Sequence, residues 1–363
     1  MSAEREEAIQ AFLQTAGWGD AVIAPLPGDA STRRYFRVAH GSRKAMLMDQ
    51  PQHAEAPVAT ARATPDERRA LGYNAIARLA GADTARFVAA SRFLRAHGLS
   101  APDIYAADPA QGFVLIEDLG DALYADVLAD GGDAHELYGA AIDALAQLHI
   151  EGAPALLPPD KPLHGYDGTA LIAETDLMTE WFLPLALGRV ASEDEIATHR
   201  ARWREVLEPV LASPPVFVHR DYHAQNLLWL PERDGLARVG VIDFQDAVAG
   251  SRSYDLISLV EDARRDVAPE LAEGMTQRYI AATGVDDAQF RAEMAVMAAQ
   301  RNAKIAGIFA RLYRRDGKPR YLDYLPRVWG YLNRDLEHPA LAPLKAWYDR
   351  TIPREARGKP RGV

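Results

Sequence analysis

Three oxygen-bearing side chains, Asp221, Asn226 and Asp243, each stand beside a short apolar run. Val216-Phe217-Val218 leads into His219 and a polar stretch, residues 220–226, before apolar character returns at Leu227-Leu228. A second run, residues 238–242, ends in Asp243. A lone His-x-Asp is most simply a turn with a capping aspartate, but three such groups in this order point to shared chemistry. Phosphoryl transfer from ATP needs positioning and charge neutralisation more than covalent steps. Magnesium prefers oxygen ligands, a carboxylate or two together with substrate phosphates. Asn226 and Asp243 suit the metal, and Asp221 suits the carboxylate that accepts the proton of an attacking hydroxyl.

The elements that must position these groups can be read from periodicity. Residues 4–16 carry Ala8, Ile9, Phe12 and Leu13 at helical spacing. Residues 34–38 and 45–48 read as paired strands, and residues 113–116 as a short apolar strand followed by Glu117-Asp118-Leu119-Gly120-Asp121. Residues 51–65 hold three prolines and read as a loop. Residues 66–97 suggest one or two helices broken near Gly81, residues 134–150 one helix, and residues 170–211 two. From residue 254 onward the pattern is helical. Strands first, then helices interrupted by two strand-plus-loop units, imply an α+β chain of two lobes. The expected organisation is a small β-rich nucleotide-binding lobe over residues 1–118, a mainly helical catalytic lobe over 119–352, and a frayed tail over 353–363.

Composition narrows the function classes. The 363 residues include no cysteine, which removes disulfides, thiolate metal sites and thiol nucleophiles. The formal net charge of −10 leaves no basic footprint for nucleic acid. No apolar run is long enough to span a bilayer, and the acidic start, Glu4-Arg5-Glu6-Glu7, lacks the pattern of a secretory signal. A cytoplasmic protein is expected. Between residues 301 and 334 nine Arg and Lys residues face only Asp316 and Asp323. Most of these read as a solvated helix face; the alternative is a positive field for a small anion.

The set His219-Arg220-Asp221, Asn226 and Asp243-Phe244-Gln245 resembles the catalytic loops of protein kinases, His-Arg-Asp, Asn and Asp-Phe-Gly. From about Gly28 to about Arg334 the chain looks like the aminoglycoside phosphotransferase-like branch of that protein-kinase-like fold. The resemblance implies a bilobal α+β fold, ATP as co-substrate, Mg²⁺ as cofactor, and a structural role for His219. It also places a phosphate-covering loop at residues 28–32, with Ser31, Thr32 and Arg33 toward nucleotide. The adenine edge would pair at the hinge around Glu117 and Leu119. No Walker-type Gly-x-x-x-x-Gly-Lys-Ser/Thr loop exists. The chain departs from the kinase pattern at Met48, where a phosphate-pairing lysine is expected; Arg33, Arg34 or Lys44 is the candidate replacement. Asp255, in Ser253-Tyr254-Asp255-Leu256, resembles the aspartate that braces the catalytic loop.

Four stretches, residues 28–37, 219–226, 242–248 and 306–312 with 315–321, are most similar to the N-acetylmuramate/N-acetylglucosamine kinases of bacterial cell-wall recycling. That similarity implies phosphorylation of an anomeric hydroxyl to the α-1-phosphate of a small amino sugar. Candidate sugar contacts are His223, Gln225 and Gln245 beside the reacting groups, with Arg311 and Arg314 for a lactyl carboxylate. Trp181 and Tyr313 suit either ring stacking or core packing. Two rival readings stay open: a kinase of aminoglycosides or other small alcohols, and a nucleotide-binding pseudokinase that regulates rather than catalyses.

Overall fold

The computed structural model describes residues 2–27, 33–51, 58–60, 62–79 and 83–358. The chain forms two compact units. The first comprises Met1–Ala144, Pro154–His164 and Ala224–Ala247, and the second Leu145–Ala153, Gly165–His223 and Val248–Val363.

The first unit is built on a five-stranded antiparallel sheet of order β1-β2-β3-β5-β4: β1 (Val22–Pro25), β2 (Arg34–His40), β3 (Arg43–Asp49), β4 (Ile104–Asp108) and β5 (Phe113–Ile116). Strand alternation puts Phe36 and Val38, Ala45 and Leu47, and Phe113 and Leu115 on one face. Helix α1 (Ala3–Thr15) covers that face with Ile9, Phe12 and Leu13, spaced three and four apart. Phe12 and Phe113 meet at 5.4 Å between ring centroids. Each large side chain buried here contributes roughly 1.5–3 kcal/mol. Arg5 of α1 and Arg34 of β2 both pair with the fully buried Asp49, so the helix is pinned electrostatically as well as by packing.

The same unit holds an antiparallel ribbon in which Leu227–Trp229 pairs with Val239–Val241, Leu227 opposite Val241. The helical stretch expected over residues 66–97 resolves into Pro65–Leu71, a π-helical turn Asn74–Arg78 and Thr84–Ala96. Gly81 lies outside the described residues.

The second unit is mainly helical. Residues 168–187 run as Gly168–Leu177, a π-helical turn Met178–Phe182 and Leu183–Leu187, followed by Glu193–Leu211. Its core contains Phe182 against Trp329, and His199 against Trp347. Val216–Val218 and Val248–Gly250 form a second antiparallel ribbon. The 30-residue helix Asp287–Asp316 runs through this unit, N-capped by Asp286 and stopped by Gly317 in the left-handed region. Of the C-terminal residues, Arg354–Ala356 form a 3-10 turn, and Arg357 pairs with Asp349 and donates to Asn333 Oδ1.

Gly307 of the long helix lies against the backbone of Leu177, where a Cβ would fall 2.5 Å from the carbonyl carbon. Because the obstacle is backbone, Gly307→Ala should cost about 1–3 kcal/mol and lower the melting temperature. Gly274, exposed within the helix Pro269–Thr283 with nothing near its missing Cβ, is the control. Gly274→Ala should stabilise by about 0.5–1 kcal/mol in the same denaturant titration.

Candidate active site

In the second unit the loop after Val216–Val218 is fixed by one carboxylate. Asp255, in the first turn of the helix Tyr254–Val260, is fully buried and accepts hydrogen bonds from the backbone N–H of His219 (2.6 Å) and of Arg220 (2.9 Å). Arg220 has φ +77°, unfavourable for a residue with a Cβ. Such a conformation costs on the order of 1–3 kcal/mol and persists only when its surroundings over-determine it. Here they do. The Arg220 N–H is held by Asp255, its guanidinium pairs with Glu174 at 2.6 Å, and it lies 4.7 Å over the Tyr166 ring. His219 packs edge-on against Tyr222 and accepts at Nδ1 from the Asp221 N–H.

This loop presents Asp221, which is half-buried. Burial opposes its ionisation, but His223, Lys304, Arg220 and His219 outweigh it and push the carboxyl down to about 2. His223 is itself pushed down to about 4, chiefly by burial. Above that pH its imidazole is neutral, so the standing charge support of Asp221 comes from Lys304 and Arg220. For Asp255 burial prevails over the two amide bonds and moves the carboxyl up to about 7.

In the first unit, Asn226 and Asp243 stand at one end of the ribbon Leu227–Trp229/Val239–Val241, and the Ile242 N–H donates to the Asn226 carbonyl at 3.1 Å. Asp243 has φ +65°. The next residue, Phe244, is fully buried and stacks on Phe87 at 4.7 Å, which anchors the turn. The Asp243 side chain keeps 41% of its surface exposed. Arg33 reaches it at 3.1 Å, and the amide of the buried Gln245 donates to its Oδ1 at 3.0 Å. Arg78 of the π-helical turn pairs with Asp246, two residues after Gln245's neighbour Phe244.

The candidate nucleotide residues sort unequally. Ser31 and Thr32 lie outside the described residues. Met48 is fully buried in β3 opposite Tyr35. Lys44 is exposed at the start of the same strand, opposite Ala39, and Arg34 is committed to Asp49. Of the three candidate cations, Arg33 is the one that reaches Asp243. It is 8% exposed and its guanidinium is held protonated: burial works against the charge, but Tyr35, Asp243 and Asp246 more than offset it. The Glu117 carboxylate pairs with Arg233 and Arg95, its N–H donates to the Asp103 carbonyl, and Leu119 is half-buried.

Of the candidate sugar contacts, His223 is buried and Gln225 exposed. Arg311 is half-buried and Arg314 exposed on the long helix; Trp181 and Tyr313 are half-buried. The basic stretch turns partly inward. Arg301 is buried and donates to Ser258, and Lys304 pairs with Glu174 at 2.9 Å, whereas Arg327 and Arg334 pair with Asp266 and Glu261. Sequence reasoning missed Glu174. The local signal was slight: a carboxylate at a buried position of a mainly apolar helix that also carries the half-buried Asp176.

Residues 22–299 match the model of the phosphotransferase enzyme family. The chain belongs to this family. As a phosphotransferase it is similar to the N-acetylmuramate/N-acetylglucosamine kinase of Caulobacter vibrioides, 47% identical over 98% of this chain and 99% of the relative. It is also similar to the kinase of the same name from Pseudomonas aeruginosa, 35% identical over 90% of this chain and 89% of that one. Among solved structures, a putative aminoglycoside phosphotransferase from Ralstonia eutropha shares the fold, with a TM-score of 0.60 at 14% identity over 95% of this chain and 98% of that one. The phosphotransferase thus has the bilobal α+β fold of kinase-like enzymes. Among the described residues no helix is long and apolar enough to cross a membrane.

Removing the Asp255 carboxylate leaves two buried N–H groups without an acceptor, at roughly 1–3 kcal/mol each. Asp255→Ala should therefore lower unfolding free energy by several kcal/mol in urea titration, a larger loss than for an exposed carboxylate such as Asp287→Ala.

Proposed function

We propose that this phosphotransferase is an ATP-dependent kinase of N-acetylmuramate, N-acetylglucosamine or both, acting in the cytoplasm on the anomeric C1 hydroxyl to give the α-1-phosphate. The observation that carries the chemistry is Asp221, an ionised carboxylate held on a strained, doubly anchored loop. The sugar assignment is supported by the names and near-complete overlap of the relatives from Caulobacter and Pseudomonas.

In the reaction the sugar hydroxyl oxygen attacks the γ-phosphorus, the bond to the β–γ bridging oxygen breaks, and its electron pair leaves with ADP. The hydroxyl proton goes to Asp221. A carboxyl pushed down to about 2 is a weak base. That suffices where the transition state is loose and the proton moves late, and where the acceptor is an anomeric hydroxyl, more acidic than an ordinary alcohol. Asn226 and Asp243 would hold Mg²⁺: the pair offers an amide oxygen and a half-exposed carboxylate at one ribbon end, and phosphate oxygens complete such a donor set. Among the described residues no group of three or more His, Cys, Asp or Glu is placed to hold a metal ion. When bound, the ion neutralises charge on the phosphates. Arg33 takes the place of the lysine missing at Met48, with Ser31 and Thr32 as further phosphate contacts, whereas Lys44, exposed at the start of β3 opposite Ala39, is the candidate that the geometry does not favour. Glu117 and Leu119 offer backbone groups to adenine. Gln225, Gln245, His223, Arg311 and Arg314 are the sugar-binding candidates.

Asp221→Asn should lower kcat by about 10²–10⁴-fold with little change in ATP affinity. Phosphorus NMR of the products from N-acetylmuramate, N-acetylglucosamine and kanamycin tests the acceptor. An α-1-phosphate is expected from the N-acetyl sugars, and turnover of kanamycin alone would overturn the assignment. Full activity of Asp221→Asn would remove it as the base. Arg33→Ala should raise the ATP KM about tenfold, as for loss of one phosphate-directed charge, while Lys44→Ala leaves it within about twofold; equal values for the two variants would count against Arg33.

A further inference from the structure

Glu174 is 1% exposed and sits between two cations. Its Oε1 pairs with Arg220 at 2.6 Å and with Lys304 Nζ at 2.9 Å. Its Oε2 accepts from the Tyr166 hydroxyl and from Gln300 Nε2. Tyr166 is a neutral donor, because burial and the adjoining carboxylate push its phenol far up. Burial opposes the charge of Glu174 as well, yet Lys304, Arg220 and Tyr166 keep it ionised. Lys304, on the long helix, sends a second N–H to the Tyr254 hydroxyl at 3.2 Å. Two cations thus share one carboxylate, and the cluster carries one surplus positive charge.

A buried surplus charge is expensive unless an anion answers it. The long helix, the helix Gly168–Leu177 and the loop at Arg220 converge on that excess. The groups acting on Asp221 are Lys304 from the long helix, and Arg220, His219 and His223 from its own loop. The carboxyl that feels Asp221 in return is Asp255. His223 is neutral above about pH 4. Arg220 is half-spent on Glu174.

We propose that Lys304 is a positioning residue for phosphoryl transfer: tied to Glu174, it supplies the surplus positive charge that keeps Asp221 ionised when the polyanionic nucleotide is bound. The inference rests on Asp221 being the base. Its physical content is charge balance. ATP brings several negative charges to the reaction, and anions favour protonation of a neighbouring carboxylate. A cation held by Glu174 and Tyr254, and acting on Asp221 through its charge, counters that pull. Lys304 therefore acts through Asp221, and its loss shows as a pH effect rather than a uniform loss of rate.

The cluster allows a test by charge alone. Lys304→Met leaves Glu174 paired with Arg220, a net charge of zero. Glu174→Gln leaves two cations, and the double variant Lys304→Met/Glu174→Gln returns the surplus to one by freeing Arg220. With saturating MgATP and N-acetylglucosamine, kcat is measured from pH 3 to 9, a window that takes in an acid limb set by Asp221, for the wild type and these three variants. Each is first checked for a native melting transition. Lys304→Met should move the acid limb of kcat upward by about 1–2 units, with rates near pH 8.5 within about threefold of wild type. The double variant should bring the limb back toward wild type. A limb unmoved in Lys304→Met overturns the proposal, and so does a double variant no better than the single, since that pattern marks a packing role. Adding Lys304→Met to Asp221→Asn should cost nothing further, because a residue acting only through Asp221 has nothing left to act on. A further loss there overturns the inference while leaving Asp221 as the base; full activity in Asp221→Asn alone overturns the base itself.

Discussion

The candidate loop depends on one carboxylate taking two consecutive backbone amides. Two N–H groups in a row can point at one side chain only if the backbone turns sharply, and the turn falls on Arg220 at φ +77°. A glycine would adopt that conformation without strain. Arginine is there for another reason: its guanidinium closes the ring through Glu174. The loop is thus held at its backbone by one buried acid and at its side chain by another. Asp221, the next residue, inherits both constraints.

The electrostatics of the second unit follow from the same arrangement. Asp255 and Glu174 are both buried acids, yet they are treated oppositely. Glu174 has two cations and a phenol and stays ionised. Asp255 has amides and only a distant share of Arg301, so burial prevails and its carboxyl moves up to about 7. Asp221, between these environments and less buried than either, is left as the strongly ionised member. Three acids within one loop neighbourhood are separated in character by their partners rather than by their own chemistry.

The strands that flank the candidate residues were legible because they are written along the chain. Asp221, Asn226 and Asp243 lie next to apolar runs that do form strands, and the left-handed turn at Asp243 accompanies the run that announced it. The helix at residues 4–16 and the strand at 113–116 were equally plain, since their apolar spacing serves a single buried face. Edge strands β1 and β4 were not foreseen: half-exposed Ala, Pro and Tyr give little alternation. The pairing of Glu174 with Lys304 joins residues 130 positions apart, and no local pattern reports such a contact. Lys304 stood in a run of cations that read as a solvated face, and its inward turn depends on packing that spacing cannot show. Likewise nothing around Arg33 distinguished it from Arg34. Arg33, just before β2, reaches Asp243, and Arg34, its first residue, pairs with Asp49.

The ion pair between Arg33 and Asp243 leaves the carboxylate proposed above as a metal ligand already matched by a guanidinium. A carboxylate already matched by a guanidinium has little attraction left for a bare divalent ion. On the proposed assignment, the phosphates of the nucleotide would offer Arg33 another anion, and the Asp243 oxygens would then be left to hold the metal. Loading is then an exchange of partners within one neutral set, not the filling of a charged hole. The protein need not hold an unbalanced carboxylate open in a solvent full of competing cations.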